Sequence, residues 1–124
     1  METTLSENDN LIVDKLTYRF NEPKRFDIVV FPYRYEKDTY YIKRIIGLPG
    51  ETVFIDEEGN IFIDEELLQE DYGKETILDA GRAYEPITLG EDEYFVMGDN
   101  RNNSQDSRDP AVGNISGEDI IGRA

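Results

Sequence analysis

Short apolar runs, each cut off by a turn signal, limit the folds open to this chain. Asp27-Ile28-Val29-Val30-Phe31 is a β-branched run that Pro32 keeps from continuing inside a sheet. Tyr40 to Ile46 forms a second run, closed by Leu48-Pro49-Gly50, where proline then glycine suits the central positions of a type II turn. Thr52 to Ile55 and Asn60 to Ile63 flank Asp56-Glu57-Glu58-Gly59 and predict a hairpin. Leu11-Ile12-Val13 opens an earlier strand running toward Tyr18, Glu93 to Met97 supplies the last clear one, and Ile120-Ile121 closes the chain. Glu66 to Glu70 reads as a short helical turn, and Gly73 to Tyr84 as a polar surface excursion. The pattern predicts an all-β fold of sandwich or barrel type, with residues 1–124 forming one domain.

Composition narrows the chemistry. With no histidine among 124 residues a Ser-His-Asp triad is impossible, and a general base must be a carboxylate, a lysine or a terminal amine. No cysteine is present, which removes disulfides, thiolate metal sites and thiol nucleophiles. The net charge of −15, from 28 acids against 13 bases, repels phosphate backbones, so nucleic acid is not an expected partner. No apolar run approaches the roughly 18–20 residues of a membrane helix, and the N-terminus lacks the pattern of a secretory leader. By itself the chain reads as soluble.

Lys43 stands out within the second run. In an extended strand Tyr41, Lys43 and Ile45 share one face, while Tyr40, Ile42, Arg44 and Ile46 share the other. A lysine set between a tyrosine and an isoleucine on a buried face is desolvated, which favours the neutral amine. A free amine near neutral pH requires a drop from about 10.4 to roughly 7–8, within reach of burial. The plainer alternative is a solvated lysine guarding a strand edge.

The segment Gly98 to Asp109 gathers amides, hydroxyls, acids and two arginines into one loop. Such a loop satisfies its own backbone through side-chain hydrogen bonds. Asp106 and Arg108 suit a bidentate pair. Although rich in oxygen ligands, the loop has no register with the central glycine and final glutamate of a calcium loop, so neither metal nor other cofactor is expected.

Three blocks then resemble, in order, those of bacterial type I signal peptidases. Tyr41-Ile42-Lys43-Arg44-Ile45-Ile46-Gly47-Leu48-Pro49-Gly50-Glu51 is similar to the block carrying the family's catalytic lysine. Gly98 to Arg108 matches every fixed position of Gly-Asp-Asn-Arg-x-x-Ser-x-Asp-Ser-Arg. Asp27 to Phe31 resembles the block before the lysine, although Phe26 stands where the family usually has glycine, and Gly122-Arg123-Ala124 is similar to the sequence after the last block.

The resemblance implies a distorted sandwich or barrel of antiparallel sheets, shared with self-cleaving Ser/Lys repressor proteases. It implies a serine endopeptidase that removes signal peptides from exported proteins, working at the extracytoplasmic side of the bacterial cytoplasmic membrane. Lys43 maps to the general base and Ser104 to the residue that orients it, with Arg44, Asp99, Asp106 and Arg108 as structural support. Met1, Leu5, Val30, Tyr41 and Ile42 map to the pockets for small substrate side chains.

The family's first block is Ser-Met-x-Pro-Thr-Leu, its serine being the nucleophile. Met1-Glu2-Thr3-Thr4-Leu5 is similar to the five residues after that serine, with Thr3 in place of proline. The nucleophile and a membrane anchor are therefore expected before Met1, and the chain alone is expected to be inactive. Ser6 lies six positions past the expected serine, roughly 20 Å away in an extended segment, and does not replace it. The alternative reading is a non-catalytic relative that helps to assemble surface structures.

Overall fold

The computed structural model describes residues 4–6 (backbone), 22–33, 35–69, 77, 79–99, 101 and 105–123. Ten strands lie among them: β1 (Thr4–Ser6), β2 (Ile28–Pro32), β3 (Thr39–Gly47), β4 (Thr52–Ile55), β5 (Ile61–Ile63), β6 (Glu66–Leu67), β7 (Ile87–Thr88), β8 (Glu93–Met97), β9 (Ile115–Ser116) and β10 (Gly122–Arg123). They form two antiparallel sheets, one in the order β10-β2-β3-β8-β9 with β1 also on β3, the other β6-β5-β4-β7. No α-helix occurs among the described residues. The all-β expectation therefore holds. The strand proposed from Leu11 toward Tyr18 lies outside the described residues.

β3 organises the large sheet. One edge pairs with β2 from Ile28↔Arg44 to Pro32↔Tyr40. The other edge is divided: β1 pairs with Thr39 to Tyr41, and β8 pairs with Arg44 to Gly47. Ile42 and Lys43 fall between those two partners.

Alternation along the strands sorts the core. Ile46, Phe95 and Met97 face the small sheet and pack with Val53, Ile55, Ile61, Ile63, Ile77, Ala83 and Leu89. The opposite face carries Val29, Phe31, Tyr41, Ile45, Tyr94 and Val96, which pack with Val112 and Ile115 from the C-terminal segment. The large sheet is thus buried on both faces. Where β3 shifts register against β8, between Ile45 and Gly47, neighbouring side chains crowd the strand. A Cβ on Gly47 would lie 2.7 Å from Val53 Cγ2 and 2.8 Å from Leu89 Cδ1, so only glycine fits.

The turns follow their chemistry. At Pro49-Gly50 the Glu51 amide donates to the Leu48 carbonyl at 3.1 Å, and Gly50 has φ of 81°. The β4–β5 hairpin pairs Val53 with Ile63, and Asp56 Oδ1 accepts from the amides of Glu58 and Asn60 at its turn.

Two local expectations are corrected. Glu66 and Leu67 form a strand against β5 rather than a helical turn; Asp64 and Glu65, with φ of 51° and 72°, make the tight turn between them. The stretch toward Tyr84 is more than a surface excursion, since Ile77 and Ala83 are buried in the core between the sheets. Gly81–Tyr84 is a 3-10 turn that brings Ala83 there.

Candidate active site

Lys43 lies on the face with Tyr41 and Ile45, as alternation predicts, and is 1% exposed. Its cross-strand partner on β2 is Val29, also fully buried. Nζ lies 5.3 Å from the centroid of the Tyr41 ring. Val29 and the Tyr41 ring help to exclude water from the side chain, and a ring face attracts an ammonium. The reading of Lys43 as a solvated edge residue is excluded by its burial.

Beside Lys43, Arg44 points to the opposite face and grips the start of the polar loop. Its Nε donates to Asp99 Oδ1 at 2.9 Å and its Nη2 to Oδ2 at 2.8 Å, while Nη1 donates to the Phe26 carbonyl at 3.1 Å. Burial by itself raises the Asp99 carboxyl, but hydrogen bonds and charge from Arg44 outweigh it and hold the group below its ordinary value. Phe26 has φ of 73°, a left-handed conformation that glycine adopts without strain. That explains the resemblance's preference for glycine there.

The loop's return is built around a buried ion pair. Asp106 is fully buried, and Arg108 clasps it with Nε on Oδ1 and Nη2 on Oδ2, both at 2.9 Å. The remaining capacity of the carboxylate takes the amides of Gly98 (3.0 Å) and Arg108 (3.1 Å). Arg108 also donates to the carbonyls of Arg101 and Asp79. Ser107 joins the loop to β8, its amide donating to the Val96 carbonyl and its hydroxyl accepting from the Val96 amide. Among the described residues, no buried side-chain nitrogen or oxygen is without a hydrogen-bond partner. The bidentate pair expected between Asp106 and Arg108 is therefore present, with more support than its spacing suggested.

The structure brings some of the sequence-predicted residues together and separates others. Val30 and Ile42 are cross-strand partners, both buried, on the face opposite Tyr41 and Lys43. The pocket group is thus divided by the sheet. Leu5 pairs through its backbone with Tyr40. Met1 and Ser104 lie outside the described residues. Gln105, next to Ser104 in sequence, reaches the site: the Tyr41 hydroxyl donates to its Oε1 at 2.6 Å.

Sequence reasoning missed three supports. Gln105 was a free position in the loop pattern. Arg82, in the stretch read as surface, donates through Nη1 to the Ser107 carbonyl at 2.7 Å, and its amide donates to the Arg108 carbonyl. Arg25 clasps Glu51 at 2.6 and 2.7 Å, and Glu51 in turn accepts from the Leu48 amide at the Pro49-Gly50 turn. Only the Asp79-Ala80-Gly81 turn signal hinted at Arg82, and nothing local marked Arg25.

A family model described as "Signal peptidase, peptidase S26" matches residues 1–124. The chain belongs to the signal peptidase S26 family. It is 43% identical to "Probable signal peptidase I-2" of Synechocystis over its whole length, covering 56% of that protein. It is 40% identical to "Signal peptidase I P" of Bacillus subtilis subsp. natto, covering 98% of this chain and 68% of that one. This signal peptidase chain thus spans little more than half the length of its Synechocystis relative. A crystal structure of a signal peptidase I from Enterococcus faecalis superposes with a TM-score of 0.68 at 34% identity, over 84% of this chain and 97% of that one. The signal peptidase fold is therefore shared. Among the described residues, no helix is long and apolar enough to cross a membrane.

Proposed function

We propose that residues 1–124 are the catalytic domain of a signal peptidase I, a serine endopeptidase that removes N-terminal signal peptides from exported preproteins. The observation that carries the reading is a lysine 1% exposed on the buried face of β3. A neutral amine there has the basicity to take a proton from a serine hydroxyl, the part imidazole plays in a histidine-based protease. In the family's order that serine immediately precedes Met1. The alkoxide attacks the scissile carbonyl, an acyl-enzyme forms, and water releases it.

In this reading Lys43 is the base and Ser104 accepts from or donates to its nitrogen to aim it. Arg44 with Asp99, and Arg108 with Asp106, hold the loop that carries Ser104 against β3. The substrate adds as an extended strand through main-chain hydrogen bonds, and its small side chains enter pockets formed by Met1, Leu5 and the Val30–Ile42 face of the large sheet, Tyr41 lying on the other face with Lys43. The protein works at the outer side of the bacterial cytoplasmic membrane, anchored by sequence preceding Met1. A non-catalytic role is disfavoured, because such a role gives no reason to bury an amine and to retain the complete ion-paired loop.

The test is cleavage of a preprotein by the chain carrying serine directly before Met1. Cleavage is expected, with Lys43→Ala reducing kcat by at least about a thousandfold, comparable to loss of the base in a catalytic dyad. Cleavage that survives Lys43→Ala sinks the assignment.

A further inference from the structure

Tyr33 and Gln105 take no part in the acyl-transfer chemistry, and neither belongs to a recognisable pattern. Gln105 fills a free position between Ser104 and Asp106, and Tyr33 directly follows Pro32 at the end of β2. Both nonetheless hold Tyr41. The Tyr33 and Tyr41 rings stack with centroids 4.8 Å apart and planes 9° from parallel. The Tyr41 hydroxyl donates to Gln105 Oε1 at 2.6 Å, and Gln105 Nε2 donates to the Tyr33 hydroxyl at 3.4 Å, which closes a ring of contacts. Phe31 meets Tyr41 edge-on at 6.1 Å. The ring beneath the Lys43 amine is therefore gripped on its face, at its edge and at its hydroxyl.

We infer that Tyr33 and Gln105 are positioning residues for the general base, acting through Tyr41. The inference rests on Lys43 being that base. A lysine side chain has several rotatable bonds, and a base must hold its nitrogen within hydrogen-bond reach of the proton it removes. A fixed ring 5.3 Å from Nζ excludes the rotamers that would fill that space. The same ring face attracts the ammonium formed when the proton arrives, so it serves the amine before and after transfer. A Tyr41 ring free to turn does neither. Because Gln105 adjoins Ser104 in sequence, its bond to Tyr41 also ties the polar loop to β3 at the level of the amine.

The experiment measures kcat and KM for preprotein cleavage in the serine-bearing protein. Tyr41→Phe keeps the ring and removes its bond to Gln105; Gln105→Leu removes the same bond from the other side. Each is expected to lower kcat roughly tenfold, since displaced catalytic groups cost from tenfold to a hundredfold, with KM moved less than about twofold. The double variant is expected to be no slower than the slower single, because both changes delete one interaction. Tyr33→Ala should lower kcat similarly, and Tyr33→Phe, which retains the stack, far less. Multiplicative losses in the double variant overturn the inference, as does unchanged kcat in both singles or a loss confined to KM. If Tyr33→Ala does not fold, the Tyr41→Phe and Gln105→Leu cycle decides alone. Lys43→Ala in parallel separates the two claims: an active Lys43→Ala protein sinks the base, whereas an inactive one beside unaffected Tyr41→Phe and Gln105→Leu sinks only the clamp.

Discussion

The small sheet and the polar loop after β8 reach order by opposite means. In the small sheet, Val53 and Ile55 on β4 and Ile61 and Ile63 on β5 point inward in strict alternation, and apolar burial holds the hairpins to the large sheet. In the loop, a buried carboxylate accepts from two backbone amides and a guanidinium, and that guanidinium donates onward to two carbonyls. Apolar packing tolerates small adjustments, whereas a buried charge network fails when one member is lost. The difference suits a reaction site. Fixed hydrogen-bond directions hold a loop in one shape more tightly than non-directional burial does.

The comparison breaks first at Asp106. Asp106→Ala leaves the Arg108 guanidinium buried without its counter-charge and frees the Gly98 amide, so unfolding in urea should show a loss of about 4 kcal/mol. A loss below about 1 kcal/mol would mean that the loop's order does not depend on the pair. The small-sheet counterpart is Ile55→Ala, which empties a fully buried position and should cost about 3 kcal/mol in the same titration. If the two regions differ in this way, Ile55→Val should recover most of that stability, while Asp106→Asn should recover little of what Asp106→Ala loses.

Legibility in the sequence divides along the same line. Alternation put Lys43 on one face of β3 with Tyr41 and Ile45 but left open whether that face was buried; the structure buries both faces. Pro49-Gly50 and the Asp106–Arg108 pair were readable because turn and fork geometry are local. The Asp64-Glu65 turn was not, because it adopts left-handed φ without the glycine or asparagine that usually signals it. Alternation implied that Ile42 opposes Tyr41, and the β2–β3 register sets Val30 beside Ile42, although the expected pocket grouped all three. The contributions of Arg82 and Gln105 depend on partners 25 to 72 positions away, and that of Tyr33 on a stack with Tyr41 across the β2–β3 connection; no local pattern carries that information.

Acid tests the link between loop and sheet. The Asp99 carboxyl titrates below its unfolded value of 3.8, so the Arg44 pair contributes stability that is fully present above that value and is lost as pH falls through the lower, folded one. Asp99→Asn should therefore be less stable than the parent by about 1–2 kcal/mol at pH 7, the side chains being mostly but not fully buried. The gap should close as pH drops below about 4. A gap that persists unchanged at pH 2.5 would assign the effect to packing rather than to charge.

Phe26 belongs to both regions and gives the smallest and most discriminating effect. Its ring packs against the core between the sheets, while its carbonyl accepts from Arg44 in the site. Its φ of 73° costs a residue with a Cβ about 1 kcal/mol that glycine does not incur. Phe26→Ala loses the packing and keeps the strained conformation; Phe26→Gly loses the packing and relieves it. The glycine variant should then be more stable than the alanine variant by about 1 kcal/mol, the reverse of their order inside an ordinary strand. Equal stabilities would mean that the left-handed turn is not imposed on this residue, and that the hold of Phe26 on Arg44 does not derive from the turn.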